Sequence, residues 1–226
     1  MRKITKPSTA KCNLSLYTLF FLAEPQYVSC VRLAQILQEL FDDSINRFLG
    51  RERYTPKDLF DEVKGSIQLE GGTLSGDDTV IAKPYSDPKK AESIDYFWSG
   101  KHKKVVKGIN LITLYYTDND GVSVPVNYRI YNKQEGKTKN DYFREMIAAR
   151  LAWDLKPSMV TGDSWYASAD NLKFIRHREL SFLFGSEKNR SLGLPGIRQV
   201  LSSASFRYSR YRIGSTSQRV WQGQGV

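Results

Sequence analysis

Aspartates at the ends of two apolar segments are the residues of this sequence most able to do chemistry. Asp77 and Asp78 precede the apolar run Thr79-Val80-Ile81. Asp163 follows the apolar pair Met159-Val160. Carboxylates that share a cleft repel each other unless a divalent cation neutralises them, and two Mg²⁺ ions held in this way stabilise the attacking and leaving oxygens of a phosphodiester displacement. The alternative is that all three are ordinary turn residues.

Only folding could bring Asp78 and Asp163 together, because they lie far apart in the chain. If the two strands are neighbours in one sheet, both side chains can face one cleft, since sites form beyond the carboxyl ends of strands. The sequence lacks the residue patterns of two other common kinds of site, for zinc and for nucleotide phosphates. His102 and His177 belong to no zinc spacing, and there is no phosphate-binding glycine loop.

The composition excludes several classes of protein. The chain has 226 residues, 34 Lys and Arg against 24 Asp and Glu, a net charge of +10 and 40% hydrophobic residues. A wholly disordered chain, a collagen-like fibre and a polytopic membrane protein are therefore excluded. Two cysteines give no disulfide framework, which indicates the cytoplasm. The apolar segment 14–23 is too short to span a bilayer, and we interpret it as a buried helix rather than a signal peptide.

The positive charge is concentrated near the C-terminus. Residues 188–226 hold seven Lys and Arg and no acidic residue. Such a tail could bind phosphates through counterion release. Its apolar residues show no sustained period, however, and this favours a poorly folded or out-of-frame extension.

Residues 28–63 have a helical pattern. We expect Ser44 to cap a second helix that Gly50 ends, and Thr55-Pro56 to open a third. Arg47 and Arg51 on the second helix could bind DNA in a helix-turn-helix, although any small helical bundle gives the same pattern. The first helix is expected to bury one apolar face, made of Val31, Ala34, Ile36, Leu37 and Leu40.

Residues 79–163 alternate between strand and helix patterns. Strands are predicted at 79–81, 104–117, 122–131 and 159–160, with a hairpin turn at 118–121. Thr138 and Asp141 form a capping-box pattern that predicts a helix between the last two strands. Residues 73–76 are less apolar than a central strand should be, so we expect the first strand to be weak.

Several blocks resemble bacterial insertion-sequence DDE transposases. They occur in the family's order and are residues 77–85 (DDTVIAKPY), 99–109 (SGKHKKVVKGI), 125–131 (PVNYRIY), 137–141 (KTKND) and 163–168 (DSWYAS). The resemblance implies an α/β fold with a ribonuclease-H-like mixed sheet, over residues 71–190. It also implies a helical, helix-turn-helix-like DNA-binding domain over 1–70, which leaves 191–226 as an irregular tail.

The resemblance also implies an activity and its residues. Two-metal cleavage and strand transfer at transposon ends would use Mg²⁺ or Mn²⁺ held by Asp78 and Asp163, with double-stranded DNA as partner and two protomers in a synaptic complex, in the cytoplasm at the nucleoid. Trp165 could stack on a base, but a buried core tryptophan is the favoured interpretation. A basic run would suit the DNA backbone, with a solvated strand face as the alternative: Lys101, Lys103, Lys104 and Lys107.

One departure from the family pattern concerns the third acid. The family carries a Glu in a tyrosine-arginine-glutamate signature downstream, whereas this chain has no acidic residue after Glu187. Tyr142, Arg144 and Glu145 have the wrong spacing. We therefore expect little or no strand cleavage, as in a truncated copy. A non-catalytic DNA-binding remnant, or a nuclease that uses Glu145 or Glu187, stays open as an alternative.

Overall fold

A computed structural model describes residues 12–24, 29–38, 42–88, 93–185, 191–193 and 200–202. The chain divides into two compact units, Met1–Glu62 and Val63–Val226. No helix within these described ranges is long and apolar enough to cross a membrane. Residues 203–226, most of the basic tail, and Glu187 lie outside the described residues.

The first unit is helical, as predicted. Its helices are α1 (Leu14–Ala23), α2 (Cys30–Leu37), α3 (Asp42–Arg51) and α4 (Pro56–Val63, which ends at the unit boundary). Side-chain oxygens cap the first two, because Asn13 accepts a hydrogen bond from the Leu16 amide and Ser29 accepts one from the Arg32 amide. One buried cluster of this unit consists of Cys12, Phe20, Leu33, Ile45 and Phe48.

Two of the predicted helix ends in this unit are wrong and one is confirmed. α3 includes Asp42 and runs to Arg51, so Ser44 and Gly50 both lie inside it. Asp42 and Asp43 favour a helix start because carboxylates are stabilised at the positive end of a helix. α4 begins as predicted, since the side chains of Thr55 and Asp58 each accept a hydrogen bond from the other residue's amide.

The predicted buried faces of α1 and α2 also need correction. In α1 only Phe20 is buried, and Leu22 is 77% exposed, so this helix is not buried as expected. In α2 the predicted Ala34 and Leu37 do pack, whereas Val31 and Ile36 are exposed and Leu33 is buried instead. Leu40 lies outside the described residues. The packed residues are spaced i, i+3, i+4 and i+7, which keeps them on one side of the helix, and they are Cys30, Leu33, Ala34 and Leu37.

The second unit is built on a mixed sheet, and this confirms the predicted α/β class. Its strands are β1 (Thr73–Ala82), β2 (Asp95–Ser99), β3 (Lys104–Thr117), β4 (Ser123–Ile130), β5 (Met159–Gly162) and β6 (Ser181–Phe184). Their order is β2-β3-β1-β5-β6, with β4 also paired to β3. β1 is antiparallel to β3 and parallel to β5. Residues 191–193 and 200–202 form a separate antiparallel pair.

The described part of this unit also contains two α-helices, α5 (Lys139–Ala152) and α6 (Ala169–Arg176). The predicted capping box is present, because Thr138 and Asp141 each accept a hydrogen bond from the other residue's backbone amide. α5 packs against β3 and β4 through buried residues that include Phe143 and Met146. β2, β6 and α6 were not predicted.

The hairpin turn between β3 and β4 confirms the turn predicted at 118–121. The carboxylate of Asp118 accepts hydrogen bonds from the amides of Gln68, Val122 and Asp120 at 2.9–3.0 Å. These bonds lower the pKa of Asp118 below its ordinary value, and the bond from Gln68 has the largest effect. The turn therefore also ties the start of the second unit to its sheet.

β1 is the central strand of the sheet, so the expectation of a weak first strand is wrong. Leu74 is fully buried, and residues 73–76 pair with both β3 and β5. Gly76 supports this position by its small size, because a Cβ there would lie 2.3 Å from Cε2 of Phe143 on α5. Gly76 therefore lacks a side chain at the point where Phe143 of α5 packs over the strand.

This contact gives a test of the central strand. We expect Gly76→Ala to destabilise the protein by about 1–3 kcal/mol, since the added methyl overlaps the Phe143 ring. Gly65→Ala is the control, because a Cβ at Gly65 would meet no atom within 4 Å; we expect it to change stability by less than about 0.5 kcal/mol. Urea unfolding measures both. Equal stability of the two variants would contradict the packing described here.

Candidate functional site

The register of β1 and β5 brings the two predicted acids together. The parallel pairing ends where Gly76 lies opposite Gly162. Asp163 is the next residue after β5, and Asp78 is the second residue beyond Gly76 on a strand that continues to Ala82. Both acids therefore lie just past the end of the paired segment and line one cleft, as predicted.

Three side chains from three elements hold the carboxylate of Asp78. Lys139 Nζ lies 2.6 Å from Oδ2, and Asn110 Nδ2 donates to the same oxygen at 2.9 Å. The Tyr166 hydroxyl donates to Oδ1 at 3.2 Å. The Asp78 side chain is 15% exposed and that of Lys139 is 20% exposed, so water screens this ion pair only partly.

Asp163 begins a short turn that points backbone amides at its own carboxylate. Oδ1 accepts hydrogen bonds from the amides of Trp165 at 3.0 Å and Tyr166 at 3.4 Å. The residue is exposed in the cleft, but partial loss of water around its carboxylate raises its pKa. The hydrogen bonds from the two amides oppose this shift, while the charges of Asp78 and Asp77 add to it.

Tyr166 contacts both acids, through its hydroxyl to Asp78 and through its backbone amide to Asp163. It is fully buried, and its ring packs against Phe143 at 4.6 Å between centroids. Burial first, and then the charge of Asp78, raise the pKa of Tyr166, so its hydroxyl remains a donor at neutral pH. Its neighbour Trp165 is 57% exposed, and the favoured interpretation of Trp165 as a core residue is therefore wrong.

Asn171, at the start of α6, holds the turn that carries Asp163. Its buried amide nitrogen donates to the Tyr166 carbonyl at 2.9 Å and to Asn140 Oδ1 at 2.7 Å. Its amide oxygen accepts from Arg144 at 2.7 Å. Two helices thereby fix the turn relative to β1, so the position of Asp163 depends on a buried polar network.

The cleft around the acids has a volume of about 520 Å³ and a mixed lining. Lys101, Lys133 and Lys139 supply positive charge. Exposed aromatic surface comes from Tyr96, 57% exposed, and Trp98, 64% exposed. Cationic groups and open aromatic faces suit an anionic ligand that also has planar rings.

The other predicted DNA contacts are not among the residues that line this cleft. Lys103 and Lys104 are exposed and Lys107 is half-buried, and none of them lines the cleft. In the helical unit, Arg47 is exposed and pairs with Asp43 at 2.8 Å. Arg51 is exposed and donates to the Arg47 carbonyl.

The residues of the cleft could bind a divalent cation through a small number of protein ligands. Within the described part of the chain, no group of three or more His, Cys, Asp or Glu residues could hold a metal ion. Mg²⁺, however, commonly uses one or two carboxylates, and water or substrate phosphates fill its other positions. Besides Asp78 and Asp163, Asn110 contacts Asp78 through its amide nitrogen, and its buried Oδ1 has no hydrogen-bond partner in the described structure. A half-turn of the amide would direct this oxygen to the carboxylate, and amide oxygens are also ligands for such ions.

Sequence reasoning missed Asn110, Lys139 and Tyr166 as site residues. Lys139 and Tyr166 lie inside the family-like blocks 137–141 and 163–168, which could have indicated them. Asn110 is a polar residue within an otherwise apolar strand, and this is a signal for a buried polar contact. Glu145, the alternative third acid, is exposed and pairs with Lys137 at 2.8 Å, and it does not line the cleft.

Comparisons with known proteins show a match to a family model and a distant similarity to solved structures. A family model described as "DDE superfamily endonuclease" matches residues 4–212. Curated protein sequences give no match. Among solved structures, the chain is similar to the Drosophila P element transposase strand transfer complex, at 10% identity and a TM-score of 0.40, over 82% of this chain and 42% of that one.

A second solved structure with a similar chain is the Mos1 strand transfer complex. The identity is 12% and the TM-score 0.31, over 82% of this chain and 61% of the other. The present chain thus spans less than two thirds of the length of either of these two chains.

The network around Asn171 predicts a local effect of its loss. We expect Asn171→Ala to destabilise the protein by about 1–3 kcal/mol, because the Tyr166 carbonyl loses its buried donor. We also expect faster hydrogen exchange at the amides of Trp165 and Tyr166. Asp170→Ala, a change at the exposed neighbouring residue, is the control. Unchanged exchange in the Asn171 variant would show that this residue does not position the turn.

Proposed function

The chain belongs to the DDE superfamily endonuclease family, and from this premise we propose that it is a DNA transposase of the DDE type. Its substrates are phosphodiester bonds at transposon ends. The observation that carries the proposal is the meeting of Asp78 and Asp163 in one cleft at the end of the β1–β5 pairing. The sheet around them is the mixed sheet that a ribonuclease-H-like core requires.

Asp78, Asp163 and the amide oxygen of Asn110 would hold the divalent cation, Mg²⁺ or Mn²⁺. When bound, such an ion polarises a phosphoryl oxygen and lowers the pKa of a bound water. The chain's own residues orient the site. Tyr166 fixes one oxygen of Asp78, and the amides of Trp165 and Tyr166 fix the carboxylate of Asp163.

Double-stranded DNA is the proposed partner, bound mainly through its phosphates. Lysines of the cleft and of the turn between β2 and β3 supply the positive charge. A contact of 2.9 Å between Ser99 Oγ and His102 Nδ1 holds the turn that carries Lys101 and Lys103. Arg47 and Arg51 are the proposed contacts of the helical unit. Two protomers in a synaptic complex would hold two transposon ends.

We expect weak cleavage by the 226-residue chain itself. Asp78 and Asp163 supply two acids, and the described residues contain no group of three that could hold metal. Two-metal catalysis needs ligands that clamp both ions. The exposed pairing of Glu145 with Lys137 also speaks against Glu145 as the third acid. A non-catalytic DNA-binding protein is therefore the second candidate function.

A nicking assay on supercoiled DNA with Mg²⁺ or Mn²⁺ tests the catalytic part of the proposal. We expect little or no nicking by the unaltered chain, because the described residues contain no group of three that could hold metal and so supply too few ligands for a second ion. Robust nicking that is lost in Asp163→Ala and kept in Asp170→Ala would contradict this expectation, and it would identify a complete nuclease. Robust nicking kept in both variants would remove Asp163 from the site.

A salt series in a gel-shift experiment tests DNA binding. Each phosphate contact releases counterions, so the DNA association constant falls as salt rises. We expect Lys101→Gln and Lys104→Gln each to make the slope of log association constant against log salt less steep by about 1. Lys173→Gln, an exposed lysine on α6, is the control and should leave the slope unchanged. Absent or salt-insensitive binding by the unaltered chain would refute the DNA-binding proposal. Equal slopes for all three variants would place the DNA elsewhere.

A further inference from the structure

The ion pair between Lys139 and Asp78 is unusual in its placement. Lys139 is the first residue of α5, directly after the cap residue Thr138. The amino end of a helix carries partial positive charge and disfavours a cation there. Lys139 nevertheless directs its ammonium to Asp78 Oδ2 at 2.6 Å, in a setting where both side chains are mostly buried. Helix stability therefore gives no reason for a lysine at this position, whereas the charge of Asp78 does.

We propose that Lys139 is an internal counter-cation that competes with a divalent metal ion for Asp78. This inference rests on the proposed function, because it assigns a role to Lys139 at the same cation site. Two cations near one carboxylate oxygen repel each other, so a metal ion that binds Asp78 displaces the ammonium. In the absence of metal, the ammonium keeps the two acids of the cleft from destabilising the fold.

The surroundings allow the ammonium to move. The cleft beside it has a volume of about 520 Å³, and lysine carries its charge on a flexible four-carbon stem. The ring of Trp165 provides a second contact, since Nζ already lies 5.9 Å from its centroid. Displacement from Asp78 therefore leaves the ammonium with an aromatic face and with space for an anion such as a phosphate.

Asn110 is suited to both states of the site. With the ammonium in place, its amide nitrogen donates to Asp78 Oδ2 while its buried Oδ1 has no partner in the described structure. A half-turn of the amide would exchange donor for acceptor. The side chain can thus serve Asp78 as a donor when the metal is absent and offer an oxygen when a metal is bound.

The test compares Mn²⁺ binding by the full chain with binding by its variants. Binding is measured from the electron paramagnetic resonance signal of the Mn²⁺ that remains free. We expect Lys139→Gln to bind Mn²⁺ more tightly by at least about fivefold, within the usual range of coupling between two ligands. Lys139→Arg keeps the charge and should show no such gain. Lys133→Gln is the matched control, because Lys133 lines the same cleft but pairs with Asp95 at 3.1 Å.

Thermal unfolding gives a second readout that a purely structural lysine would not produce. Without metal, Lys139→Gln should melt at a lower temperature than the unaltered chain, because Asp78 loses its counter-charge. With saturating Mn²⁺, the increase in melting temperature should be larger for Lys139→Gln, since tighter binding stabilises the native state more. A variant that melts lower by the same amount with and without Mn²⁺ would overturn the competition.

The outcomes separate this inference from the proposed function. If the unaltered chain binds Mn²⁺, and Lys139→Gln binds it equally or more weakly, the role of Lys139 is wrong while the metal site stands. An equal gain in Lys133→Gln would also overturn it, because a general charge effect would then suffice. If neither the chain nor folded Lys139→Gln binds Mn²⁺, the metal site itself is refuted, and the role of Lys139 with it.

Discussion

Repulsion between like charges is the constraint on which this site depends. The parallel pairing of β1 with β5 brings Asp78 and Asp163 to one end of the sheet, where like charges oppose each other. Partial loss of water first, and then the charges of Asp78 and Asp77, raise the pKa of Asp163 there. The protein offsets this with an ammonium from Lys139, with donors from Asn110 and Tyr166, and with two backbone amides directed at Asp163. A cleft whose negative charge needs this many donors is suited to bind cations, and also anions such as phosphates that bind together with a cation.

Helix α5 connects the compensation of charge to the packing of the core. Its first residue carries the ammonium that reaches Asp78, and one turn later Phe143 packs on Tyr166 and over Gly76. Arg144 then supports Asn171 and so the turn of Asp163. Because one rigid helix supplies all three contacts, a shift of α5 would change the position of both acids together.

Much of the second unit could be predicted from local pattern, but the first half of its central strand could not. The capping box of Thr138 and Asp141, the turn at Asp118 and the long strand β3 each have local signals of period or turn chemistry. Residues 73–76 carry no such signal, because their place in the sheet comes from partners on both sides and from the room that Gly76 gives Phe143. The buried face of α2 was predicted only in part, at Ala34 and Leu37. Apolar residues occur on several sides of that helix, and only packing selects the face that contains Leu33.

By itself, the sequence determined the two acids, their order along the chain and the family to which they belong, because residue types and spaced blocks are properties of the chain. Only the tertiary structure decided what surrounds the acids. Lys139 lies 61 residues from Asp78, and Tyr166 lies 88 residues from it. Contacts over such separations are set by strand register and by helix packing, which bring Asn110, Lys139 and Tyr166 to one carboxylate although no local pattern links them.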